Sequence, residues 1–181
     1  MRILAFDPGK ANFAYAVGQD GQLERFGFVT ALLTDLTVDV TGQVVRLADE
    51  FSAILKDARP DLIVAERFMA RGKAPGMGAV SEFINLSLGV LVSVAAPLEV
   101  QVISAATWKN HWSHRYPQEG KFEMQACLED GTRVYPGGRR KRLTTHESDA
   151  IGILAWAFET REGHPGILDG LRVHLRAPKP G

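Results

Sequence analysis

Runs of apolar residues at two different periods divide the chain into short strands and three long helices. Residues 2–7 form an almost unbroken apolar run closed by Asp7-Pro8-Gly9, the pattern of a buried strand. Phe13 to Val17 predicts a second strand and Leu23 to Val29 a third. Gly18-Gln19-Asp20-Gly21 between them is a hairpin signal, so residues 2–29 predict a three-stranded meander. Thr30 to Thr41 predicts loop. From Val44 to Ala58 the apolar positions are 44, 47, 48, 51, 54, 55 and 58, one face of a helix that Arg59-Pro60 ends.

Leu62 to Glu66 follows as a short apolar run, the signature of a buried parallel strand. Met69 to Gly78 is rich in glycine and basic residues and predicts a loop. Ala79 to Ala95 predicts a second helix, with Ser87, Gly89 and Ser93 small enough for close packing. Its stripe of Leu86, Leu88, Val90, Leu91, Val92 and Val94 suits either core or a dimer interface. Val100 to Ile103 predicts a fifth strand, and 105–114 and 119–129 predict short helices. Gly131 to Leu143 predicts a second glycine-rich, basic loop, and Thr145 to Arg161 the last strong helix. An antiparallel start followed by βαβ units predicts a mixed α/β fold. One domain over 1–161 is expected, with 162–181 a loosely ordered tail.

Composition narrows this picture. In 181 residues, 45% hydrophobic and 23% charged, there is enough apolar material for an ordinary core. The 21 basic and 21 acidic residues cancel, which excludes a wholly basic nucleic-acid coat protein but not a local basic patch. The single cysteine, Cys127, excludes an intramolecular disulfide and a cysteine-built zinc site, and is expected as a small buried apolar residue. The opening apolar run is too short for a signal segment, and Leu86 to Pro97 is too short to cross a bilayer. A cytoplasmic protein with no membrane partner is expected, and organellar and viral origins stay open.

The candidate chemistry lies at strand ends. Alternation puts Ile3, Ala5 and Asp7 on one side of the first strand, and Leu62, Val64 and Glu66 on one side of the fourth. Parallel neighbours would deliver both carboxylates to the same C-terminal sheet edge, where open α/β sheets bind ligands. The plainer reading is that Asp7 caps the Pro8-Gly9 turn and Glu66 pairs with Arg67. The last helix opens Thr144-Thr145-His146-Glu147-Ser148-Asp149, in which Thr144 and Glu147 make a capping box. His146 and Asp149 are three apart and point the same way. Alternatively, Asp149 is a first-turn acid favoured by the helix dipole and His146 a solvated imidazole. Asp7, Glu66, His146 and Asp149 together form a hard, oxygen-rich donor set suited to Mg²⁺ or Mn²⁺. Two such ions per site would support phosphodiester hydrolysis without a protein nucleophile.

Asp7-Pro8-Gly9, Glu66 with Phe68-Met69-Ala70 just after it, and His146-Glu147-Ser148-Asp149-Ala150 resemble the motifs of the RuvC family of Holliday-junction resolvases, in order and near the family's spacing over about residues 1–160. The resemblance implies an RNase H-like fold: a five-stranded mixed sheet flanked by helices. It implies a homodimer that nicks two opposing strands of a four-way DNA junction with Mg²⁺ or Mn²⁺. It also implies that Asp7, Glu66, His146 and Asp149 are the catalytic metal ligands. Lys109 and Lys121 would be the lysines near the scissile phosphate, and Phe68 the aromatic wedge at the junction centre. Gly131 to Leu143 is an addition relative to compact members.

Two basic loops flank these acids. Arg67, Arg71 and Lys73 follow Glu66, while Arg133, Arg139, Arg140, Lys141 and Arg142 precede the last helix with no acid between 131 and 145. Both fit phosphate contacts around a cut, or simply a solvated surface. Trp108, His111, Trp112, His114 and Tyr116 interleave with Lys109 and Arg115, either to stack on bases or to pack a short helix. Other classes remain in view. Asp7-Pro8-Gly9 also resembles the phosphate loop of actin-like ATPases and sugar kinases, but those need two lobes and this chain has room for one. A YqgF-type nuclease acting on RNA and a non-catalytic branched-DNA-binding module are the remaining alternatives.

Overall fold

A computed structural model describes residues 1–9, 13–33, 35, 37–67, 77–119, 121–128, 132–134 and 140–163, with backbone alone at 77, 79, 126, 132–134 and 140–142. The apolar runs form β1 (Arg2–Asp7), β2 (Phe13–Gln19), β3 (Gln22–Val29), β4 (Leu62–Arg67) and β5 (Glu99–Ser104), one sheet in the order β3-β2-β1-β4-β5. The first three strands are antiparallel, and β1, β4 and β5 are parallel. The expected mixed five-stranded sheet is therefore present, and the meander turns at Asp20 (φ 50°) and Gly21 (φ 79°). Positive φ at both central residues is the geometry that matches strand twist in a two-residue hairpin.

Helices α1 (Val40–Ala58) and α2 (Met77–Ala95) cover one face of the sheet, α3 (Ala105–Arg115), α4 (Met124–Cys127) and α5 (Thr145–Glu162) the other. Strand alternation sorts the core between them. Leu4, Phe6, Ile63 and Ala65 meet α1 and α2, whereas Ile3, Ala5, Leu62 and Val64 meet α3 and α5. On the first face Phe6, Phe13 and Phe51 contact one another edge-on, with centroids 5.5–5.7 Å apart. On the second, α5 is buried on all sides from Glu147 to Phe158, because α3 and α4 cover the flank that the sheet leaves open. Cys127 is buried and unbridged, as expected. Among the described residues no helix is long and apolar enough to cross a membrane.

The structure departs from the sequence reading in several places. Helix α1 starts at Val40 rather than Val44, because the Asp39 carboxylate accepts from the Gly42 N–H and caps it there. Helix α2 starts at Met77 rather than Ala79. The helix expected over 119–129 is a single turn, α4, and a Gln118–Glu123 hydrogen-bond clamp holds the segment before it outside helical geometry. The loop expected over 131–143 contains a short antiparallel ribbon, β6 (Thr132–Val134) with β7 (Arg140–Arg142). The expected tail lies outside the described residues from 164 onward.

Close approach of α5 to α3 and α4 depends on Gly152. A methyl group there would stand 2.7 Å from the Met124 side chain and 2.9 Å from the Trp108 ring. Gly152→Ala is therefore expected to destabilise the chain by about 1–3 kcal/mol, the range for overpacking a core. Urea unfolding checks this; unchanged stability would mean that the three helices can separate at no cost.

Candidate active site

The site is assembled from the ends of two strands and the starts of two helices. Parallel pairing of β1 with β4 sets Phe6 beside Ala65, so Asp7 and Glu66 follow on the next rung, on the face that carries Ile3, Ala5, Leu62 and Val64. Helix α5 presents its N-terminus to the same place. Thr144 caps it: its Oγ1 accepts from the Glu147 N–H at 3.2 Å, and Glu147 Oε2 accepts in return from the Thr144 N–H at 2.9 Å. Glu147 is thus consumed by the cap, and the first turn delivers His146 and Asp149 instead. Helix α3 starts directly after β5, where Ser104 Oγ accepts from the Thr107 N–H, and its next residues are Trp108 and Lys109.

Three short contacts tie these elements together. His146 Nδ1 lies 2.6 Å from Asp7 Oδ2, joining α5 to β1. Lys109 Nζ donates to Asp149 Oδ2 at 2.6 Å, joining α3 to α5. Trp108 Nε1 donates to Glu66 Oε2 at 2.7 Å, joining α3 to β4. The Lys109 ammonium also lies over the Trp108 ring, 4.7 Å from its centroid.

The electrostatics follow from the groups' sharing one small volume. Burial pushes the Glu66 carboxyl up to about 7, and the Asp7 charge adds to the effect against the Trp108 N–H and Lys109. Burial likewise raises Asp149 to about 6, with Lys109 opposing and Asp7 reinforcing. His146 is held above its ordinary value chiefly by its hydrogen bond to Asp7, against burial. Burial works against the charged form of Lys109, yet Asp149, Glu66 and Asp7 together hold its value above the ordinary one. Three carboxylates thus face two cationic groups in a half-dry recess.

This donor set fits a hard divalent cation. Its ligands are carboxylate oxygens and one imidazole, and the buried Oδ1 of Asp149 has no hydrogen-bond partner among the described groups. Among the described residues no three His, Cys, Asp or Glu side chains stand close enough together to hold a metal ion as they are placed here. Lys109 and His146 instead hold Asp149 and Asp7 as ion pairs. A cation would take over the charge balance that these two groups supply here.

Five of the residues singled out from sequence therefore come together: Asp7, Glu66, His146, Asp149 and Lys109. Lys121 does not join them; it is exposed between α3 and α4, outside the cluster's hydrogen bonds and ion pairs. Arg67 is exposed at the end of β4. Phe68, Arg71, Lys73 and Arg139 lie outside the described residues, and Arg140, Lys141 and Arg142 are described only as the backbone of β7. Trp108 is the contributor that sequence reasoning left between stacking on bases and packing. The signal for it was its place beside Lys109 in the first turns of a helix entered from a parallel strand.

Glu66 gives a pH test. Its folded-state value of about 7 lies above the ordinary 4.5, so the folded chain binds this proton more tightly than the unfolded chain. Stability is therefore lost as pH rises from the ordinary value through about 7. Glu66→Gln keeps an acceptor for Trp108 and removes the charge. It is expected to stabilise the metal-free chain at pH 8 by up to about 3 kcal/mol, and far less at pH 5. Denaturant melts at the two pH values check this; equal gains at both would mean that the carboxylate pays no penalty for its surroundings.

No protein-family model matches the chain, and no curated protein matches it. Solved structures do. RuvC of Thermus thermophilus in complex with a Holliday junction substrate superposes with a TM-score of 0.63 at 20% identity, over 90% of this chain and 96% of that one. A second T. thermophilus RuvC structure gives 0.61 at 20% identity, over 90% and 97%. The yeast mitochondrial Holliday junction resolvase Ydc2 gives 0.58 at 13% identity, over 96% and 84%. The chain thus has the RNase H-like fold of these structures, in agreement with the sequence expectation.

Proposed function

We propose that the chain is a Holliday-junction resolvase, a divalent-metal-dependent endodeoxyribonuclease that nicks opposing strands of a four-way DNA junction in recombination and repair. The observation that carries this reading is the gathering of Asp7, Glu66, Asp149, His146 and Lys109 at one sheet edge. The fold on which they gather is that of structures named as junction resolvases.

In this reading Asp7, Glu66, His146 and Asp149 hold Mg²⁺ or Mn²⁺, two ions per site. When bound, these supply an activated water and polarise the phosphodiester. The protein's own share is positioning and charge. The capped N-terminus of α5 fixes where His146 and Asp149 can reach. Lys109, released from Asp149 once that carboxylate has another partner, becomes free to neutralise the phosphate at the cut. Lys121 is assigned to the same anion on the sequence resemblance alone. Arg67 at the end of β4 with Arg71 and Lys73 after it, and Arg139 to Arg142 before α5, bind the backbone of the arms. Phe68 unstacks the base pair at the crossover. Two opposed cuts call for two copies of the site, hence a homodimer.

The test is cleavage of a synthetic four-way junction, a linear duplex and an RNA–DNA hybrid with Mg²⁺ or Mn²⁺. Paired nicks near the crossover of the junction alone are expected. Asp7→Asn should abolish cutting and leave junction binding intact, because it removes a cation ligand and no basic contact. Cutting of the hybrid in preference to the junction would move the chain to the RNA-directed nucleases. Unaltered cleavage by Asp7→Asn would overturn the site. Phe68→Ala should weaken junction distortion and cutting together, read by fluorescence of a base analogue at the crossover; loss of neither would remove the wedge.

A further inference from the structure

We infer that Trp108 is a positioning residue for Glu66: its indole N–H fixes one oxygen of that carboxylate and so prepares the other to receive a divalent cation. The inference rests on the metal-dependent reading above and adds a residue to it.

The indole is in the core. Trp108 is 0% exposed, and its ring lies so close to α5 that a methyl group on Gly152 would be 2.9 Å from it. A buried indole N–H must find an acceptor, and the one it has is Glu66 Oε2 at 2.7 Å. The ring is fully buried and lies close against Gly152 of α5, so the packing around it holds the donor in place. Glu66 at the open end of β4 is therefore oriented by a group that is itself immobile.

The three ties in the cluster differ in kind. Lys109 on Asp149 and His146 on Asp7 can each supply positive charge, and a divalent cation competes directly with both. The Trp108 N–H is neutral. It orients Glu66 without cancelling its charge, so this tie survives when a cation arrives. It leaves one carboxylate oxygen for coordination, the arrangement that outer partners of metal ligands commonly provide. The same ring carries the Lys109 ammonium on its face, 4.7 Å from the centroid. One indole thereby braces Glu66 on β4 directly and Asp149 on α5 through Lys109.

The test is calorimetric titration of the metal-free full chain with Mn²⁺. The variants are Trp108→Phe, which lacks the N–H, and the chain with benzothienylalanine at position 108, which keeps the ring volume and also lacks it. Both are expected to bind Mn²⁺ about 10-fold more weakly than the unaltered chain or worse, the usual cost of removing a partner behind a metal ligand. Circular dichroism of the benzothienylalanine chain should be unchanged. Junction cleavage by that chain should return as Mn²⁺ is raised to saturation, which a merely structural defect would not allow. If the phenylalanine variant fails to fold, the isosteric one decides. Unweakened Mn²⁺ binding in the isosteric chain, or a cleavage defect that Mn²⁺ does not relieve, overturns the positioning role alone. An unaltered chain that binds no Mn²⁺ overturns the metal-dependent reading and this inference with it.

Discussion

Everything at the candidate site depends on one electrostatic constraint: three carboxylates are held in a half-dry recess where they repel one another. Asp7 and Glu66 are forced side by side because they end neighbouring parallel strands in register. Asp149 is brought to them by a helix whose start is fixed by the Thr144–Glu147 cap. Burial raises both Glu66 and Asp149, so neither is at ease as an anion. The fold tolerates the arrangement by placing Lys109 and His146 against two of the three. Carboxylates set against each other in this way are unfavourable for a purely structural role and favourable for holding a cation.

The rest of the molecule makes that constraint hold. Residues Ile3 to Phe6 and Ile63 to Ala65 are fully buried, so the strands cannot slip without exposing one face of each. Helix α5 is enclosed by the sheet on one side and by α3 and α4 on the other, which leaves its first turn little freedom. Further along, the buried Trp112 N–H donates to the Gly152 carbonyl at 2.9 Å, and Arg115 and His111 both reach Glu159. Helices α3 and α5 are thus pinned together along their length, and the Lys109–Asp149 pair sits at the end of that seam.

Much of this was legible in the sequence because the signals were local. Apolar runs ended by Asp7 and by Glu66 announced strands with carboxylates at their ends. Thr144 with Glu147 announced the start of a helix and therefore the placement of His146 and Asp149. Asp20-Gly21 announced the hairpin. What could not be read was non-local or weakly patterned. The contact of Trp108 with Glu66 spans 42 residues and exists only because β4, β5 and α3 follow one another in space. The β6–β7 ribbon was hidden because its strands are only three residues each and rich in arginine and lysine. Phe68, Arg71 and Lys73 lie outside the described residues, so their part stays with the proposal.

The most direct test of the account is diffraction from crystals of the chain grown with Mn²⁺, recorded to give the anomalous signal of the metal. The account predicts a manganese peak bonded to oxygens of Asp7 and of Glu66 or Asp149, at about the 2.0–2.2 Å typical of small divalent ions, with Lys109 Nζ displaced from Asp149. An intact Lys109–Asp149 pair with no manganese among these carboxylates, in crystals saturated with the ion, would contradict it.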